Sequence, residues 1–138
     1  MSTRATYQFN KPSYRTTVTY YIHHDGYPEG AAYYFLKAIH SQSADPHPHQ
    51  TFAEDFIRAN DRARVTASHE LHGDTEYRYT YDCDTGKLKA MSLVSFETGK
   101  FKTFFNGPLE EFINKYPEFC ATLYPDKQFI PLVIPVAA

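Results

Sequence analysis

The chain has 138 residues, 42% of them hydrophobic, with 14 basic and 16 acidic side chains. That length and composition exclude a disordered chain and allow a core without staples, so a single domain over residues 1–138 is expected. A formal net charge of −2 excludes the basic surface that non-specific nucleic-acid binding needs.

Cys83 and Cys120 stand apart, with no CxxC, so a disulfide framework is not expected and a reducing compartment is. No apolar run reaches the roughly 18 residues of a membrane span. The start, MSTRATYQF, lacks the apolar centre of a signal peptide. A cytoplasmic protein without a membrane partner is the expectation. Twelve Tyr and eleven Phe stand against no Trp. Many of these rings should lie half-buried with the polar tip in water.

In TRATYQF, Ala5, Tyr7 and Phe9 alternate with Arg4, Thr6 and Gln8, which predicts a first strand. NKPSYR is a turn around Pro12. TTVTYYIHH is rich in β-branched and aromatic residues and predicts a second strand, paired with the first as an antiparallel hairpin. Asp25-Gly26 is a turn signal, and Pro28 suits the first position of a helix. Glu29 falls in the first turn, where the helix dipole favours a carboxylate. The spacing predicts a helix over 28–41 that buries Ala32, Phe35, Leu36 and Ile39.

QSADPHPHQ reads as a loop. Thr51 and Glu54 have capping-box spacing before a second helix, reaching about Asn60 and burying Phe52, Phe56 and Ile57. A short strand is expected within 64–67. EYRYTYDC, KLKAMSLVSF and KFKTFF predict a three-stranded meander with turns at DTG and ETG. Tyr77, Tyr79 and Tyr81 share one face of its first strand, a half-buried sheet face in preference to a platform for stacking bases or sugars. NGPLEEFINKY predicts a third helix with Leu109, Phe112, Ile113 and Tyr116 on one side. The apolar arm FIPLVIPV, residues 129–136, should pack on this domain or on a partner subunit, and a homodimer is expected from it. The order predicts an α+β fold: an antiparallel sheet of five or six strands with about three helices on one face.

The stretch IHHDGYPEGA, residues 22–31, holds the polar groups that could carry chemistry. Alternation sends His23 and His24 to opposite sides of the sheet. One reading is a polar pocket at the strand–helix junction: His24 as donor or acid/base, Asp25 orienting it, and Arg4 adding a charge-assisted contact to an anion. The plain alternative is structural: Asp25 makes an Asx turn, His24 is a satisfied boundary histidine, and Pro28 and Glu29 start the helix. HPH (His47, His49) and HELH (His69, His72) are loose candidate metal pairs, but HELH lacks the four-residue spacing of a zinc helix, and no metal or cofactor is expected. Ser2 would become an N-terminal nucleophile after loss of Met1, yet nothing nearby supplies a base. No G-x-S-x-G, P-loop or G-x-G-x-x-G is present.

STRATY at residues 2–7, with HHDGYPEGA at 23–31, resembles a family of small uncharacterised proteins of bacteria, plasmids and phages. Their pattern is a Met-Ser/Gly-Thr-Arg-Ala start, then a His-x-Asp-Gly-Tyr-Pro-Glu-Gly block opening a helix. Ser2 to Ala5 match the first, and His23 and Asp25 to Gly30 match the second. The resemblance covers about the first 40 residues and favours His23 over His24. It implies a shared ligand-binding site at Arg4, His23, Asp25, Tyr27 and Glu29, and an accessory role in a phage or mobile element, interfering with host defence. Two functions are expected to compete. One is a non-catalytic binding module for a host protein or a small anionic ligand. The other is a small hydrolase or transferase using His23 or His24 with Asp25.

Overall fold

The structure is a computed structural model that describes residues 3–44, 52–69 and 74–123. Strands β1 (Ala5–Lys11) and β2 (Thr16–Ile22) form the expected antiparallel hairpin. Between them Pro12–Tyr14 make one 3-10 turn, which Arg15 closes at φ 53 by donating its N–H to the Pro12 carbonyl. Helix α1 spans Pro28–Ala44, beyond the expected end at Ser41, and α2 spans Phe52–Ala59. Four strands follow: β3 (Arg64–Thr66), β4 (Tyr77–Asp82), β5 (Lys87–Ser95) and β6 (Lys100–Pro108). Helix α3 (Leu109–Lys115) begins directly where β6 ends, and α4 (Glu118–Leu123) follows it.

The six strands form one sheet in the order β3-β2-β1-β4-β5-β6. The α+β architecture is the expected one, with an addition at its centre: β1 pairs with β4 in parallel, and every other pair is antiparallel. The reason is topological. β3 is an edge strand, so the chain must cross β2 and β1 to reach β4. On the face away from the helices His69, which follows β3, is buried between the hydroxyls of Thr6 (2.6 Å from Nδ1) and Thr80 (3.0 Å from Nε2).

The other face carries the core. Ala5, Tyr7, Phe9, Tyr20, Ile22, Tyr79, Tyr81, Leu88 and Ala90 meet Phe35 and Leu36 of α1, Phe56 of α2, and Leu109, Phe112 and Ile113 of α3. Full burial of each large side chain contributes about 1.5–3 kcal/mol. Ala32 and Ile39 are buried as expected, while Phe52 and Ile57 are half-buried against the cluster. Tyr79 and Tyr81 are more deeply buried than the half-exposed face expected of them. Tyr7 stacks on Tyr79 at 5.0 Å and tilts against Phe56 at 5.1 Å. The arm 129–136, on which the expectation of a homodimer rests, lies outside the described residues, as do Ser2, Thr51, His47, His49 and His72.

Candidate functional site

The β2–α1 junction is held from three sides. Gly26 donates its N–H to the Thr3 carbonyl (2.8 Å), and its own carbonyl accepts the Tyr79 hydroxyl (2.6 Å) inside the core. A Cβ at Gly26 would lie 2.6 Å from the Ala5 Cβ, and one at Gly30 would fall inside the Asp25 carbonyl. Both glycines are therefore close-approach positions within the chain itself. Asp25 adopts φ 56, a left-handed conformation that Asp tolerates at a turn. Its carboxylate accepts the Tyr27 hydroxyl (2.9 Å), not the backbone N–H groups that an Asx turn would supply.

On the outer face, the register Ala5↔Ile22 carries Arg4 to His23. Arg4 Nε donates to His23 Nδ1 at 3.1 Å, as alternation anticipates, and lies 3.1 Å from Asp74 Oδ2. Arginine can only donate, so the single lone pair of His23 Nδ1 accepts from it, with the Tyr21 hydroxyl also 3.1 Å away, which leaves the ring proton of a neutral His23 on Nε2. Burial raises the Tyr21 pKa, Asp74 adds to the rise, and Arg4 opposes it. The Arg4 charge is thus shared between His23 and Asp74.

β2 ends at Ile22, so strict alternation stops before the histidines. Their rings still meet edge to face at 4.7 Å. His23 stays exposed on the outside, while His24 lines a cavity of about 360 Å³ on the helix side. Asp25, Lys37, Asp61 and Arg62 supply the charged part of its wall, Tyr33, Tyr34 and Phe119 the aromatic part, and Asn60 a polar floor. Tyr34 donates to the His24 carbonyl at 3.0 Å, fixing the turn to α1. Burial first, then the Asp25 charge, push the Tyr34 phenol up to about 12. The Tyr27 phenol reaches about 12 through burial and its bond to Asp25. Burial lowers the Lys37 pKa, against the pull of Asp61.

Asn60 is 2% exposed. Its amide N–H groups go to the carbonyls of Phe56 (2.9 Å) and Tyr34 (3.1 Å), and its Oδ1 has no partner among the described residues. The Tyr7 hydroxyl, buried near Tyr34 and Asp25, has none either.

The five residues implied by the resemblance therefore divide. Arg4 and His23 pair outside, Asp25 and Tyr27 pair at the turn, and Glu29 lies in a third place, near enough to Tyr77, Tyr79 and Tyr116 to raise their pKa values. Sequence reasoning missed Tyr33, Tyr34, Lys37, the 60–62 turn and Phe119. One signal was available: Lys37 follows Tyr33 and Tyr34 at helical spacing, and its Nζ lies 5.1 Å from the Tyr33 ring centre. Burial raises the thiols of Cys83 and Cys120 to about 11, so neither is an activated nucleophile. Among the described residues no group of three or more His, Cys, Asp or Glu side chains could hold a metal ion, and no helix is long and apolar enough to cross a membrane.

No protein-family model matches the chain, and no curated protein or solved structure matches it.

Proposed function

We propose that this protein is a non-catalytic binding module that holds a small ligand by its anionic group, in the cavity between the β2–α1 turn, α1 and the 60–62 turn. The observation that carries this reading is a cavity of ligand size with Lys37 and Arg62 in its wall. Small-molecule sites start at about 300 Å³ and combine apolar walls with a few placed polar groups. The half-buried Lys37 ammonium regains favourable electrostatics when an anion arrives. The hydrolase or transferase reading has less support. Asp25 Oδ1 accepts the Tyr27 hydroxyl while His23 Nδ1 faces Arg4 and Tyr21, so His23 and Asp25 are held by different partners. The accessory role in a mobile element, with a host protein as a further partner, rests on the resemblance of the STRA and HxDGYPEG segments.

Thermal unfolding with benzoate and with orthophosphate tests the reading. Benzoate should raise the midpoint of the natural chain and of Arg4→Ala, and lose its effect in Arg62→Ala. Loss of the effect in Arg4→Ala, with Arg62→Ala unaffected, would contradict it.

A further inference from the structure

We infer that the occupant of this cavity is an aromatic zwitterion of amino-acid size: a carboxylate, an ammonium and one planar ring. The inference rests on the cavity being a ligand site and adds the chemistry of the ligand.

The wall is charge-balanced, with Lys37 and Arg62 against Asp25 and Asp61. A bare anion gains from Lys37 and Arg62 but leaves Asp25 and Asp61 unanswered, so it binds more weakly than a molecule that answers both signs. A molecule with both charges, set apart, can place each beside its opposite. Arg62 makes no ion pair among the described residues, and its guanidinium fork matches a carboxylate. Lys37 is already near Asp61, whose charge counteracts part of its burial.

The second end is specified by the carboxylates. Asp25 lines the cavity and stays exposed, with its Oδ1 accepting the Tyr27 hydroxyl, so its carboxylate is open to an ammonium. Between the two ends, Tyr33, Tyr34 and Phe119 offer ring faces and edges, with Ile22 behind them. About 360 Å³ is near the lower end of ligand pockets, which suits one ring with a short backbone and is too small for a dinucleotide cofactor.

The test is calorimetric titration of the full chain with L-phenylalanine and L-tyrosine, and with two truncated probes. 3-Phenylpropanoate lacks the ammonium, and phenethylamine lacks the carboxylate. An aromatic amino acid should bind, and each truncated probe should bind about tenfold or more weakly, as expected when a charged hydrogen bond is lost. Arg62→Ala should weaken the amino acid about tenfold and leave phenethylamine unchanged, with a natural circular-dichroism spectrum showing that it folds. Lys37→Met serves as the second carboxylate-side variant. If 3-phenylpropanoate binds as tightly as L-phenylalanine, the zwitterion inference fails and the anion-binding reading survives. Should neither amino acid bind while benzoate stabilises the chain, the outcome is the same. If benzoate and orthophosphate are also silent, both readings fail together.

Discussion

Tyr7 and Tyr79 stack on each other in the centre of the core, yet their hydroxyls meet different fates. Tyr79 donates to the Gly26 carbonyl, and Tyr7 has no hydroxyl partner among the described residues. A buried unsatisfied group costs about 1–3 kcal/mol, so Tyr7→Phe should leave stability unchanged or raise it by up to about 1 kcal/mol. Tyr79→Phe strands the Gly26 carbonyl and should lower stability by about 1–2 kcal/mol. Urea denaturation of the two variants checks the contrast, and equal losses would refute it. The sequence made these tyrosines visible as alternating strand residues. It could not say which hydroxyl finds a carbonyl, because Gly26 reaches Tyr79 from 53 residues away. The glycines of HHDGYPEG were legible as close-approach positions. What they approach, Ala5 and the Asp25 carbonyl, is part of the protein's own chain.

The elements with strong periodicity were read with nearly correct bounds, β1, β2, α1, β4 and β5 among them, whereas residues 106–108, expected to open the third helix, extend β6 by pairing with β5, and α3 starts at Leu109. Helix α4 was missed because six residues hold too little periodicity to stand out, and the missed helix supplies Phe119 to the cavity. The parallel β1–β4 pair was also illegible, since it depends on which side of β1 the crossover from β3 delivers the chain. His69 fastens that crossover to both central strands. His69→Ala should cost about 1–3 kcal/mol, because the fully buried Thr6 hydroxyl loses its partner. Chemical denaturation measures this. A loss below a few tenths of a kcal/mol would show that the crossover is held by other contacts. The Arg4–Asp74 pair, with side chains 33% and 53% exposed, should contribute no more than about 1 kcal/mol.

Across the whole molecule, the buried tyrosines give stability a definite pH dependence. Burial raises the phenols of Tyr7 and Tyr79 well above 10.0 and that of Tyr34 to about 12. A raised folded pKa means that the folded chain holds its protons longer than the unfolded chain. The stability is therefore fully present below pH 10 and is lost as pH rises from 10 through 12. Lys37 acts with the opposite sign: its lowered pKa favours the folded chain as pH rises toward 10.5. Three strongly shifted phenols should outweigh one lysine. Urea midpoints across this range should fall, with tyrosinate absorbance rising at the same transition. Urea midpoints that stay level between pH 10 and pH 12 would contradict it.

The cavity exists only at this largest scale. Its wall comes from the β2–α1 turn, the middle of α1, the 60–62 turn and α4, segments that no local sequence pattern connects. The junction itself was legible; the side of the sheet on which it would bind was not, because Arg4 and His23 pair on the outside while Lys37 and Arg62 line the cavity on the helix side. Amide chemical-shift mapping of the ¹⁵N-labelled chain during a benzoate titration tests this division most directly. Saturable shifts are expected at Tyr33, Tyr34, Lys37, Asn60, Asp61 and Arg62, with Tyr21 and Asp74 unmoved. Shifts centred on Arg4, Tyr21, His23 and Asp74, with the cavity residues silent, would contradict it.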